Sequence, residues 1–192
     1  MIAGTARGRI LRPPRSTGTR PITDRAKESL FNILGPRLPG GRFLDLFAGT
    51  GSVGIEALSR GCERATFVER SPRALADIRH NLAVTGLAGP AEVVGRDVFA
   101  FLRDPPAAYD VVFVAPPQWR GLWPRAVELL DRHPGWLAEG ATVVAQHDPA
   151  ESTELELHAL AAARERTYAR VRFTFFAAGQ AAPPPGQPPA PG

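Results

Sequence analysis

Apolar and polar positions along the chain follow two periods, and the switches between them mark its elements. From Asp24 to Leu34, the residues Ala26, Leu30, Phe31 and Leu34 recur at three- and four-residue spacing, which predicts a helix started by Thr23 or Asp24. Gly35, Pro36, Pro39, Gly40 and Gly41 end it. Phe43, Leu44, Leu46 and Phe47 then form an apolar run broken only by Asp45, the pattern of a strand buried on both faces that ends in an acid. Gly49, Thr50 and Gly51 turn the chain into a helix over 52–60, with Ser52 as its expected cap and Val53, Ile55, Ala57 and Leu58 as its packing positions.

The same alternation repeats downstream. Ala65–Glu69 reads as a second strand ending in an acid, and Ser71-Pro72 starts a helix over 72–84 that carries Leu75, Ile78, Leu82 and Val84. Glu92–Gly95 is a third strand, followed by Asp97 capping a helix to about Leu102. Tyr109–Val114 is a fourth strand that runs into Ala115-Pro116-Pro117-Gln118-Trp119. A helix over 120–133 with Leu122, Val127, Leu129 and Leu130 precedes a fifth strand, Ala141–Gln146, led in by Leu137. Residues 150–163 fit helix or strand equally, whereas Arg164–Tyr168 and Arg170–Phe176 alternate as a closing strand pair. Strands alternating with helices predict an α/β fold with a mostly parallel sheet over 23–177, behind an arm of residues 1–22. Proline, glycine and alanine dominate 178–192, which is expected to be a disordered tail.

Open sheets of this kind bind ligands outside the carboxyl ends of their strands, and the candidate chemistry gathers there. Gly49-x-Gly51-x-x-Gly54 fits a dinucleotide turn, but Asp45 four residues earlier is poor company for a pyrophosphate. S-adenosyl-L-methionine (SAM) has an ammonium and a sulfonium that an acid favours. A dinucleotide, SAM or a tight turn with no ligand each remain compatible with the glycines. Glu69 suits a ribose diol or is a surface acid before a helix, and Asp97 suits an adenine amino group or is a cap alone. Pro116 and Pro117 remove two backbone donors and leave carbonyls facing the site.

Charge adds a partner to this picture. Arg7, Arg9, Arg12, Arg15, Arg20, Arg25 and Lys27 against Asp24 give residues 1–27 a charge of +6 within a total of +4, so the remaining 165 residues sum to −2. A basic arm beside a neutral domain suggests contact with a phosphate backbone, and a solvated tail is the alternative. One cysteine, Cys62, fits a reducing compartment, and the first residues lack the apolar core of a signal peptide, so a cytoplasmic protein is expected. His80, His133, His147 and His158 have no ligand spacing, and no metal is expected.

Two stretches resemble the RsmD family of bacterial methyltransferases, which modify guanine N2 in small-subunit (16S) ribosomal RNA. They are Arg20-Pro21-Ile22-Thr23-Asp24-Arg25 leading to Glu28-Ser29-Leu30-Phe31-Asn32, and Leu44-Asp45-Leu46-Phe47-Ala48-Gly49-Thr50-Gly51 through Glu56-Ala57-Leu58-Ser59-Arg60-Gly61. Gly135-Trp136-Leu137 is similar to a later element of that family. The resemblance implies a class I, Rossmann-like methyltransferase fold with seven strands, one of them antiparallel, and SAM over the strand ends. It implies that Asp45, Phe47, Ala48, Gly49, Thr50 and Gly51 line the methionine side of SAM. The resemblance likewise implies that Glu69 takes the ribose and Asp97 with Val98 the adenine, with Arg70 among the cofactor-binding residues. Arg7, Arg9, Arg12, Arg20 and Arg25 of the basic arm are the expected RNA contacts, with naked 16S rRNA and the small subunit both open as substrate, and a monomer is expected.

The chain departs from the family at its fourth strand. The family pattern is Asp or Asn, two prolines and an aromatic, where the first residue accepts from the exocyclic amine and the aromatic stacks on a flipped-out base. Here the residues are Ala115-Pro116-Pro117-Gln118. The carbonyls of Ala115 and Pro116, with Trp119 or Trp123 as the stacking ring, are the expected substitutes, so Ala115, Pro116, Pro117, Gln118 and Trp119 form the expected catalytic set. A SAM- and RNA-binding assembly factor with weakened catalysis is the alternative function, and a methyltransferase of small molecules or proteins is a third.

Overall fold

A computed structural model describes residues 1–14 and 22–179. The principal elements alternate as expected: α1 (Asp24–Leu34), β1 (Arg42–Leu46), α2 (Ser52–Ser59), β2 (Arg64–Glu69), α3 (Pro72–Thr85), β3 (Ala91–Gly95), α4 (Val98–Phe101), β4 (Tyr109–Val114), α5 (Leu122–Arg132), β5 (Leu137–His147), β6 (Leu160–Tyr168) and β7 (Val171–Ala178). The seven strands form one sheet in the order β3-β2-β1-β4-β5-β7-β6, in which β7 alone runs antiparallel to its neighbours. Sequence order reverses between β1 and β4, so the crevice of this fold lies at their carboxyl ends.

The central strands are buried on both sides, and alternate residues serve different layers. Phe43, Phe67, Phe113 and Val144 face α1, α2 and α3, while Leu44, Val68, Val112 and Val143 face α4 and α5. Phe31, Phe43, Phe67 and Phe113 are among the largest fully buried side chains, each contributing roughly 1.5–3 kcal/mol by leaving water. α1 closes the first layer with its apolar stripe of Ala26, Leu30, Phe31 and Leu34. Thr23 caps it, as Ser71 caps α3.

The chief departures from the pattern lie in the last third of the chain. Residues 150–163 resolve into a short 3-10 turn at Pro149–Glu151, an irregular stretch, and the start of β6 at Leu160, four residues earlier than alternation indicates. The exposed alanines 161–163 hide this start, because on this edge strand they bury no apolar face. β7 continues through Ala178, and the Gly179 N–H donates to the Ala159 carbonyl at 3.0 Å, so the expected tail begins inside a strand. Residues 180–192 lie outside the described residues.

The arm is docked on the domain over residues 1–14. Glu56 is wholly buried and accepts from the backbone N–H of Ile2 at 3.0 Å and of Ala3 at 2.9 Å, and Ser59 Oγ accepts from Ala6 at 2.9 Å. Among the described residues no helix is long and apolar enough to cross a membrane.

Candidate active site

At the end of β1, Asp45 is 2% exposed, and its Oδ2 accepts from the Gly54 N–H at 2.9 Å. Gly54 is the third residue of α2, so the strand's acid satisfies a helix donor. Ser52, expected to cap this helix, does not: the capping position is Gly51, at φ +74°, and its lack of a side chain leaves the task to Asp45. The turn is also tight at Gly54, where a Cβ would lie 2.4 Å from Phe67 Cε1. Phe47 adopts φ +60°, a left-handed conformation that costs a non-glycine residue roughly 1–3 kcal/mol and is often retained where a ligand is held.

The neighbouring strand tips carry the other two acids. Glu69 Oε2 accepts from the Gly49 N–H at 3.0 Å, and Oε1 accepts from Arg70 and Ser71 at 2.8 Å each, which ties the glycine turn to the end of β2. Asp97 uses one oxygen to cap α4, accepting from Phe99 at 3.0 Å and Ala100 at 3.2 Å. Its other oxygen lies 3.8 Å from the Arg70 guanidinium. Burial is the main cause that pushes the Asp45 carboxyl up to about 8, the charge of Glu69 adds to it, and the Gly54 N–H opposes it.

Two cavities meet at this point and share Phe47, Gly49 and Ala115. The larger, about 480 Å³, takes Glu69, Arg70, Asp97, Val98 and Pro117 from the expected set. The smaller, about 90 Å³, takes Asp45, Ala48, Thr50, Pro116 and Gln118. Gly51 lines neither, because it lies beneath the turn against Ile78 and Phe67. Trp119 also lines neither: it is 61% exposed, borders a separate cavity with Pro124 and Glu128, and donates its backbone N–H to Glu151. Trp123 is buried, stacks on His147 and donates to the Glu151 carbonyl at 3.3 Å, so it offers no free ring at the cavities.

Several residues at the site fall outside the expected set. Pro14, Ile22 and Gln146 line the smaller cavity. Asn81, in the middle of α3 and 0% exposed, accepts from the Arg12 N–H at 2.8 Å and donates to the Thr50 carbonyl at 3.0 Å, linking the arm to the glycine turn. Its spacing from Asp77 and Ile78 was a usable signal, since it puts a polar residue on the buried face of α3.

Of the arm's cations, Arg7, Arg9, Arg12 and Arg25 are exposed, and Arg20 lies outside the described residues. Lys27 differs from its expected place with them. It is buried, with Nζ 3.9 Å from Glu56 Oε2, which neutralises it inside the protein.

A seven-stranded sheet with a single antiparallel strand, helices on both faces and acids at three adjacent tips is the class I methyltransferase fold. The profile of the family described as Conserved hypothetical protein 95 matches residues 1–177. Ribosomal RNA small subunit methyltransferase D of Escherichia coli (strain K12) is 41% identical over 148 residues, 77% of this chain and 74% of that protein. The solved structure of the Escherichia coli protein yhhF superposes with a TM-score of 0.82 at 34% identity, covering 92% of this chain and 96% of that one. An RNA methyltransferase from Salinibacter ruber, solved with S-adenosyl-L-homocysteine, shares the fold with a TM-score of 0.63 at 17% identity, over 86% of this chain and 97% of that one. The chain belongs to the Conserved hypothetical protein 95 family, which is the RsmD family its motifs resemble.

Proposed function

We propose that this protein is a cytoplasmic SAM-dependent methyltransferase acting on the exocyclic N2 of a guanine in 16S ribosomal RNA. The observation that carries the reading is the set of three carboxylates, Asp45, Glu69 and Asp97, at the tips of the adjacent strands β1, β2 and β3 around two joined cavities. The relatives' names support the substrate class, and the guanine is what the motif resemblance to the RsmD family implies.

The residues fit the cofactor. A buried acid pushed up to about 8, with a second acid contributing to that rise, is an environment in want of a cation, which a sulfonium or ammonium provides. Asp45 and the 47–50 turn would hold its methionine portion, Glu69 and Arg70 its ribose, and Asp97 and Val98 its adenine. When bound, SAM supplies a methyl group activated by its positive sulfur, and transfer to N2 leaves a neutral thioether and releases a proton from N2 to water. The chain's own part is to position the amine and exclude water. Pro116 and Pro117 fix the backbone whose carbonyls face the amine, and the loss of an acidic side chain at 115 costs on the order of a hundredfold in rate, not the whole. The exposed arginines 7, 9, 12 and 25 would grip phosphates.

The test is incubation with labelled SAM and unmodified 16S rRNA or small subunits, followed by mapping of the label. Label on a guanine N2 supports the proposal. Cofactor binding without transfer overturns it in favour of a binding-only assembly factor.

A further inference from the structure

The space that the short side chain at 115 leaves open faces a polar side chain one strand away. β4 pairs with β1 and β5 in parallel register, Asp45 opposite Phe113 and Val114 opposite Ala145, so Ala115 and Gln146 are the next residues at the same level. Alternation puts Asp45, Phe113, Ala115, Val144 and Gln146 on one face of the sheet, the face covered by α1 and α2. Neighbouring strands lie about 4.8 Å apart. A glutamine at 146 therefore reaches the space beside Ala115, into which a longer side chain at 115 would otherwise project.

Gln146 lines the smaller cavity together with Asp45, Ala115, Pro116 and Gln118. It is half-buried, on a rigid strand held between β4 and β7, and its amide makes no hydrogen bond among the described residues. Its neighbour His147 points to the opposite face, where it stacks on Trp123 and bonds Thr174 at 3.0 Å, and so does not compete for the site. A half-buried amide with both its donor and acceptor unused, aimed into a cavity, is suited to a ligand edge that offers one of each.

We propose that Gln146 reads the target guanine: its carbonyl oxygen accepts from N1–H and its amide donates to O6. This deepens the methyltransferase reading and rests on it. The pairing leaves N2 at the end of the edge, next to the Ala115 and Pro116 carbonyls, and it gives Gln146 the role of a specificity residue. A base with an amine but without N1–H and O6 loses both bonds.

The test compares an rRNA fragment carrying the methylated guanine with the same fragment carrying 2-aminopurine there, which keeps the exocyclic amine and lacks both partners. Wild-type protein is expected to prefer guanine by about ten- to a hundredfold in kcat/KM. In Gln146→Ala the preference falls to within threefold, through slower use of guanine, while the SAM Kd by calorimetry stays within threefold. Gln146→Met, which keeps the bulk, behaves alike and serves if the alanine variant does not fold. The fluorescence of the 2-aminopurine fragment on binding is expected to be the same for wild type and Gln146→Ala, since the bonds at issue are absent from it. Transfer by wild type with a preference that survives both substitutions overturns the assignment of Gln146 alone. No transfer by wild type to any guanine overturns the methyltransferase reading and this assignment with it.

Discussion

The side chain of Asn81 donates to the carbonyl of Thr50 at 3.0 Å, from the middle of α3 into the glycine turn. The same side chain holds the backbone of Arg12, so one buried amide fixes both the arm that borders the smaller cavity and the turn that forms its floor. Asn81→Ala leaves at least two backbone groups short of partners, at about 1–3 kcal/mol for each that stays buried. We expect the melting temperature to fall by about 4–24 °C and SAM binding to weaken by about tenfold. Thermal melts and calorimetry check this, and a variant with wild-type affinity would mean that the turn holds its shape unaided.

Asp45 makes the ligand-free protein sensitive to pH. Its carboxyl is raised in the folded state from 3.8 to about 8, so the folded state binds the extra proton between those values. Stability from this group is therefore full below about pH 4 and is lost as pH rises through about 8. Asp45→Asn keeps an acceptor for Gly54 and removes the titration, and the pH dependence of melting over this range should flatten. SAM affinity in that variant should drop tenfold or more, and wild type should release a proton on binding SAM at pH 7, read as a heat that varies with buffer ionisation.

Glu56 is a structural anchor with several partners at once. It accepts from Ile2, Ala3 and the Arg60 Nε, and lies within ion-pair distance of Lys27. Glu56→Ala strands a buried lysine and should cost about 3–5 kcal/mol. The additional change Lys27→Met should recover part of that loss. Proteolytic cleavage within residues 1–9 should accelerate in the single variant, and unchanged cleavage would show that other interactions hold the arm.

Arg7 and Arg9 are free of that anchor and exposed. Replacing both with glutamine should weaken RNA binding and lower the slope of log affinity against log salt by roughly 0.7 for each single-strand phosphate that is no longer neutralised. The SAM Kd should not change. An unaltered salt slope would place the phosphate-binding cations elsewhere on the protein.

The strand-and-helix order, the three acids and the glycine turn were all legible in the chain, because each depends on neighbours within a few residues. Period 2 against period 3.6, an acid at a strand end and a glycine where φ must be positive are local requirements, and local requirements leave their mark on sequence. The cap of α2 is the exception that the same rule explains. Ser52 looks like a cap from its position, whereas the true acceptor, Asp45, comes from the preceding strand.

Other features depend on which distant segments meet, and the tertiary structure alone decided them. Lys27 reads as one more cation of a basic arm until folding sets Glu56 against it, and Trp119 reads as a stacking ring until the chain turns it away from both cavities. Gln146 carries no motif at all, and becomes a candidate only because parallel pairing sets β5 beside β4 at the level of Ala115. Short-range sterics and solvation wrote the fold into the sequence, while the inner face of the site came from cross-strand register, which links residues far apart in the chain and leaves no periodic trace.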